Sequence, residues 1–300
     1  MSHLPTLTVI GSYPVNTQPA RIMRSYWKEL STPSWEPYIS EAVNNMVSSG
    51  IQLVSDGQTR DPFVTIFARG LKGCRIRDRP EVIDMIEHDH PITANDLTFV
   101  RSILPKEVKL LGLIVGPYTL SQTVSDKFYN DSEALAFDAA KALHKEALAI
   151  EPVVDVISVD EPHFSNSFPS YGKELIKTVV DGLNIPRRLH VCGDVSAIIP
   201  ELLDMPVDIL SHEFKATPKL FDGFKEYPDS KKKFCIGSVR SDVETVESVE
   251  EITNHVQKAL DVFGTHVEQL SPDCGLRLLS NAVAFEKLKN LRITWENMFV

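Results

Sequence analysis

Eight short apolar, β-branched runs recur along this chain, and most are followed by a stretch of helical period. They are TLTVIGS (6 to 12), IQLVSDG (51 to 57), VKLLGLIVG (108 to 116), VDVISVD (154 to 160), RLHVCGD (188 to 194), VDILSHE (207 to 213), KFCIGSV (233 to 239) and VEQLSPD (267 to 273). The intervening segments carry their own start and stop signals. YISEAVNNMVSSG places Val43, Met46 and Val47 on one face and stops at Gly50. DSEALAFDAAKALHKEALAI is capped by Asp131 or Ser132, with acid near its start, and SVEEITNHVQKALDVFG opens on Ser248 and closes on Gly264. Eight strands alternating with helices over 300 residues predict an α/β fold, a single (β/α)8 TIM barrel spanning 1–300 as one catalytic domain. The competing doubly wound sheet lacks support, because no G-x-G-x-x-G follows an early strand. No repeat, low-complexity tract or linker divides the chain.

Composition narrows the function classes. A net charge of −10 argues against a nucleic-acid surface, and no segment reaches the length of a membrane span. The opening MSHLPTLTVIGSYP has no basic region followed by an apolar run, which sets the expectation of a cytoplasmic, unprocessed chain. Lys231, Lys232 and Lys233 form the only basic run, read as a solvated strand entrance. Four scattered cysteines do not make a disulfide scaffold, so cysteine chemistry here points to metal binding or catalysis.

A barrel works at the C-terminal ends of its strands, so polar residues should gather there. Ser12 ends the first strand, Asp56, Gly57 and Gln58 the second, and Asp160 and Glu161 the fourth. His190, Cys192 and Asp194 end the fifth, His212 and Glu213 the sixth, and Asp273 and Cys274 the eighth. Alternation along a strand puts His190 and Cys192 on the same face. Cys74 and Cys235 read as small buried hydrophobes, whereas Cys192 and Cys274 fall at the mouth. Converging there, His190, Cys192, Glu213 and Cys274 would offer nitrogen, two sulfurs and an oxygen, a set that suits Zn²⁺. Two thiolates and a carboxylate leave such a zinc a poor activator of water. It would instead bind an incoming thiol, lower its pKa and hold a nucleophilic thiolate, with the carboxylate as the ligand to be displaced.

Taken in order, TVIGSYP, SDGQTRD, LIVGPYT, SVDEP, HVCGD, SHEF and SPDCGLRLL resemble the catalytic C-terminal domain of cobalamin-independent methionine synthases, and most closely the short stand-alone core enzymes of archaeal type. The resemblance runs nearly end to end. Carried over by position, it makes His190, Cys192, Glu213 and Cys274 the zinc ligands. It places a homocysteine pocket at Ile10, Gly11 and Ser12 together with Asp160, which would pair with the ammonium while the turn at Gly11 and Ser12 donates to the carboxylate. Where the long enzymes use a Glu, this chain has Gln58, a neutral acceptor whose weaker pull Asp56 would partly restore. His163 and His212 match no ligand position and are expected in supporting hydrogen bonds. His88 and His90, in EHDHP, are expected in a solvated loop.

The expected function is therefore a zinc-dependent methyltransferase that methylates homocysteine to methionine. Two alternatives stay open: a zinc-dependent coenzyme M alkyl or methyltransferase, and a non-catalytic zinc or corrinoid-binding protein. Acidic Asp160 and Asp56 suit an ammonium better than a sulfonate, and a carboxylate fourth ligand suits a working site better than a structural one. The donor expectation rests on departures from the long enzymes. The folate-stacking aromatic position holds Thr123, the pterin-binding carboxylate position holds Asn166, a further folate segment is replaced by GCRIRDRPEV, and the proton-donating His falls near Asp242. A folate nitrogen leaves only when protonated, while a methyl-corrinoid needs no general acid. The expected cofactors are thus one zinc and a methyl-corrinoid donor, delivered free or by a methylated corrinoid protein, with Asp242 and His163 as the weak general-acid candidates.

Overall fold

The computed structural model describes residues 4–16, 35–60 and 62–300. Each expected strand forms, most of them shortened to the part that pairs, KFCIGSV over its full length and the fifth from one residue earlier, at Arg187. The strands are β1 (Thr6–Leu7), β2 (Leu53–Val54), β3 (Lys72–Ile76), β4 (Pro80–Glu87), β5 (Lys109–Val115), β6 (Ser125–Asp126), β7 (Val156–Asp160), β8 (Arg187–Val191), β9 (Ile209–His212), β10 (Lys233–Val239) and β11 (Val267–Pro272). Eight of them make one parallel sheet in the order β1-β11-β10-β9-β8-β7-β5-β2. A parallel bridge between Thr8 and Leu53 joins its two end strands, so the sheet closes into the barrel.

The caps read from the sequence form at the helix starts. Asp131 accepts from the backbone N–H groups of Glu133 and Ala134 at the head of the helix Ser132–Ile150, and Ser248 with Glu251 builds a reciprocal capping box before Val249–Phe263. Strands buried on both faces divide the apolar core. A large cluster lies between strands and helices, while the barrel interior holds two small ones, Leu53, Leu111, Leu113 and Val156 in one and Ile10, Ile209 and Cys235 in the other.

GCRIRDRPEV is not a bare connection. Within it β3 pairs antiparallel with β4, and β6 adds in parallel to β4, making a separate three-stranded sheet. Gly73 takes φ +83° at the register shift in this hairpin, where a Cβ would stand 2.2 Å from the Met85 carbonyl oxygen. His88, expected in solvent, is instead nearly buried: its Nε2 lies 2.8 Å from Oε2 of Glu146, a fully buried carboxylate on the helix Ser132–Ile150. The same carboxylate accepts from the Ile92 and Thr93 N–H groups and the Thr93 hydroxyl. His90 does lie in the open, against Asp89. Among the described residues no helix is long and apolar enough to cross a membrane.

Candidate active site

Pairing in the parallel sheet puts Asp160 beside His190, and His190 beside Ser211, on the inner face of the barrel. His190 Nε2 stands 3.1 Å from Cys192 Sγ, which stands 3.2 Å from Cys274 Sγ. The three donor atoms lie within 4.8 Å of one another. The chain reaches this geometry because β8 ends at Val191 and Gly193 turns at φ +77°, which folds Cys192 back over the mouth toward the end of β11.

Burial, with the Arg188 charge nearby, holds the His190 imidazole well below its usual pKa and therefore neutral. The contact with Cys274, and then burial, hold the Cys192 thiol well above the ordinary range. A neutral imidazole nitrogen and two sulfurs packed this closely are the donor set of a borderline-soft divalent ion such as zinc. His190 Nδ1 is 3.0 Å from the Ser211 hydroxyl. That contact fixes the ring, a role the sequence reading had given to His163 and His212. His212 faces outward instead, with Nδ1 3.2 Å from the Val191 carbonyl and its ring stacked on Phe224. His163 lies on the 3-10 turn Pro162–Ser165, its backbone N–H donating to the Thr119 hydroxyl.

Glu213 stands apart from the three-atom group. Its carboxylate takes a hydrogen bond from the Gly193 backbone and neighbours Cys192, while burial raises its pKa. Alternation explains the placement: with Ser211 inward and His212 outward, Glu213 turns inward again, but one residue beyond the strand and above the cluster.

Across the mouth, the turn at residues 10–13 is fastened on several sides. Ser55 Oγ donates to the Gly11 carbonyl at 2.6 Å, Tyr13 N–H to the Gly57 carbonyl at 3.0 Å, and Leu276 N–H to the Ser12 carbonyl at 2.7 Å. Gln58 adopts φ +46°, rare for a residue with a side chain, and its Oε1 lies so close to Gly11 that a Cβ there would meet it at 2.8 Å. Asp56 Oδ1 accepts from the Gln58 N–H, and burial pushes its pKa up to about 6. With Gln58 and Thr93 it lines a small cleft of about 10 Å³.

Asp160 is 7% exposed, and its Oδ1 accepts from the Ser158 hydroxyl at 2.7 Å. Burial pushes its carboxyl up to about 6 against the pull of Arg188 and Ser158. Neighbouring Glu161 points outward and caps the helix Pro117–Thr123, accepting from the N–H groups of Tyr118 and Thr119. Thr123 closes that helix by donating to the Thr119 carbonyl. Asp242 does not suit the general-acid role: the Arg240 guanidinium grips its carboxylate and holds it below the usual range, so it carries no proton at neutral pH. Two contributors escaped the sequence reading. Ser211 gave no signal, whereas Arg188, a cation within an apolar strand and two residues before His190, did.

A family model described as "Cobalamin-independent synthase, Catalytic domain" matches residues 4–296. A protein named methionine synthase from Methanocaldococcus jannaschii is 36% identical over 95% of this chain and 96% of its own length, and one from Methanothermobacter marburgensis is 32% identical over 95% and 97%. The barrel also superposes on a structure of a B12-independent methionine synthase from Shewanella sp. W3-18-1 with a TM-score of 0.82, at 23% identity over 99% of this chain and 98% of that one, a likeness of fold. The chain belongs to the cobalamin-independent synthase family, as an enzyme of the methionine synthase type.

Proposed function

We propose that this barrel, residues 1–300 acting as one catalytic unit, transfers a methyl group to the sulfur of homocysteine with the help of one zinc ion. The observation that carries the reading is the approach of His190 Nε2, Cys192 Sγ and Cys274 Sγ within 4.8 Å at the mouth, facing a buried carboxylate, Asp160. His190, Cys192 and Cys274 would hold the zinc, with Glu213 the exchangeable fourth ligand. When bound, the ion would lower the pKa of an incoming thiol so that a nucleophilic thiolate forms near neutral pH. The protein's own groups do the rest. Asp160 takes the ammonium of the amino acid, the N–H groups of the turn at Gly11 and Ser12 take its carboxylate, and Ile10 packs against its methylenes. Gln58 adds a neutral acceptor beside Gly11, and Asp56 a carboxylate behind it. In the transfer the S–CH₃ bond forms as the donor–CH₃ bond breaks, and the donor departs with the electron pair.

The donor we favour is a methyl-corrinoid, free or carried on a protein that docks at the mouth. The ion pair between Arg240 and Asp242 supports this, because it leaves that position without the proton that a departing folate nitrogen requires. The family description, cobalamin-independent, weighs against a corrinoid held as a resident cofactor. The corrinoid therefore enters only as a co-substrate, and methyl-folate is the rival donor. One donor panel tests both halves: methylcobalamin and methyl-tetrahydrofolate, each with homocysteine and with coenzyme M. Methionine should form from methylcobalamin. Methyl-folate matching or exceeding that rate would overturn the donor assignment, and preferential methylation of coenzyme M would overturn the acceptor.

A further inference from the structure

Beneath the mouth, one layer down from His190 on the same strand, the Arg188 guanidinium lies fully buried at the centre of the barrel. Among the described residues no carboxylate is in direct contact with it. Nε donates to the Ser158 hydroxyl at 3.1 Å, and Nη1 to Gln269 Oε1 at 3.1 Å with Cys235 Sγ at 3.9 Å. Nη2 is shared between the carbonyl oxygens of Val9 and Ile10, both at 3.3 Å. Desolvating a full positive charge is expensive, and an apolar side chain of similar volume would fill the same space without that penalty. Barrel stability alone does not call for an arginine here.

Its contacts run to both arms of the pocket proposed above. On one side Arg188 binds Ser158, and Ser158 donates onward to Asp160 Oδ1 at 2.7 Å, so the carboxylate that would take the ammonium is oriented by a two-bond relay. On the other side it grips the Ile10 carbonyl. That carbonyl shares its peptide group with the Gly11 N–H, and a cation at the oxygen polarises the whole group, strengthening the N–H as a donor toward a carboxylate. The planar fork of a guanidinium can make these contacts at once in fixed directions, and an ammonium cannot.

We infer that Arg188 is a positioning residue for the α-amino-acid end of the substrate, setting Asp160 through Ser158 and the Gly11 peptide through the Ile10 carbonyl, and so confers selectivity for an amino-acid thiol over a simple thiol. The inference rests on the homocysteine reading of the pocket.

The test pairs protein variants with trimmed ligands. Calorimetry on the zinc-loaded enzyme would compare homocysteine with 4-mercaptobutanoate, which lacks the ammonium, and 3-mercaptopropylamine, which lacks the carboxylate, for wild type, Arg188→Met, Arg188→Lys and Ser158→Ala. Ser158→Ala should weaken homocysteine about tenfold and 4-mercaptobutanoate less than about twofold, because only the former uses the carboxylate that Ser158 orients. Arg188→Met should erase the preference for homocysteine over both analogues, Arg188→Lys should restore part of it, and zinc content should stay the same throughout. Ser158→Ala keeps the test decisive if Arg188→Met does not fold. Equal losses for all three ligands, or no loss in Ser158→Ala, would overturn the positioning role while leaving the pocket intact. A wild-type enzyme that binds the analogues as tightly as homocysteine would overturn the pocket, and this inference with it.

Discussion

The inner and outer faces of the same strand ends do different work. At the end of β7, Asp160 faces inward toward the cluster while Glu161, one residue on, faces outward and caps the helix Pro117–Thr123. At the end of β9, Ser211 faces in and contacts His190, while His212 faces out and stacks on Phe224. All four are buried polar residues, so burial does not separate them. The two-residue period of the strand does, dividing groups aimed at a ligand from groups that satisfy neighbouring backbone or fill the helical layer.

The sharpest way to break this division is to remove an inner sulfur. Cys192→Ser or Cys274→Ser should abolish zinc binding, taking metal content from about one per chain to near zero, because a hard hydroxyl cannot replace a thiolate at a borderline-soft ion. Methyl transfer should disappear with it. Elemental analysis of the purified variants measures this directly. Full zinc occupancy in Cys274→Ser would take that residue out of the site.

The pair Asp160 and Glu161 offers the next contrast. Asp160→Asn should weaken homocysteine binding by about 1.5–3 kcal/mol, the range for a hydrogen bond to a charged group, whereas Glu161→Gln should leave binding nearly unchanged and destabilise the fold by about 1–3 kcal/mol through a backbone donor left unmatched. Calorimetric titration and denaturant unfolding of both variants separate the outcomes.

Both carboxyls also have pKa values raised mainly by burial, Asp160 to about 6 and Glu161 to about 7. A carboxyl whose folded pKa lies above its unfolded value near 4 binds more protons when folded, so its contribution to stability is present in acid and is lost as pH rises through the folded pKa. The share of stability from these two carboxyls should accordingly fall between about pH 4 and 7, against the opposite contribution of His190 and His212, which burial keeps neutral. Asp160→Asn should remove its share of that slope, about 2–3 kcal/mol for two pKa units, gaining stability at pH 8 while losing affinity. Unfolding curves at pH 4.5 and 8 that show the same difference between variant and wild type would contradict the assignment.

Local pattern made much of this molecule readable. The eight barrel strands fall on the apolar runs, with β8 starting one residue early at Arg187, and the caps at Asp131 and Ser248 fall where short polar residues precede helical periods. What escaped depends on partners far away in the chain. A cation in an apolar strand marks Arg188 but not its partners, which lie 30 residues back at Ser158 and 81 residues on at Gln269, and Ser211 meets His190 across 21 residues with no local trace at all. Other signals were present and weaker. Glu146 sits among Leu143, Ala147 and Ile150 on the apolar face of its helix, a position that requires buried partners, and those turn out to be His88, Ile92 and Thr93. In PEVIDMIE, the second strand of the β3–β4 hairpin, the apolar residues come in adjacent pairs and only Val82 and Ile86 are buried, with Ile83 and Met85 exposed, so no period-two alternation announces the strand.

The smallest expected effect is the strictest check on the division between faces. His212 adjoins Glu213 in sequence and its neighbour Ser211 touches His190, so closeness alone would place it in the metal site. Its side chain is on the other side of the sheet: Nδ1 faces the Val191 carbonyl at 3.2 Å, the ring stacks on Phe224 with centroids 5.6 Å apart, and Nε2 is buried with no hydrogen-bond partner among the described residues. Burial holds its pKa down to about 4, so the ring is neutral at the pH where the enzyme would work. His212→Phe keeps the stacked ring, gives up one hydrogen bond to Val191 and removes an unmatched nitrogen from an apolar layer. The first loss is worth about 1 kcal/mol, and the second change returns part of it, so net stability should move by less than about 1 kcal/mol. Zinc content and homocysteine affinity should match the wild type. A His212→Phe enzyme that folds normally yet loses zinc would mean that the outer face reaches the metal after all, through the strand that carries Ser211 and Glu213, and the separation drawn from alternation would have to be abandoned at β9.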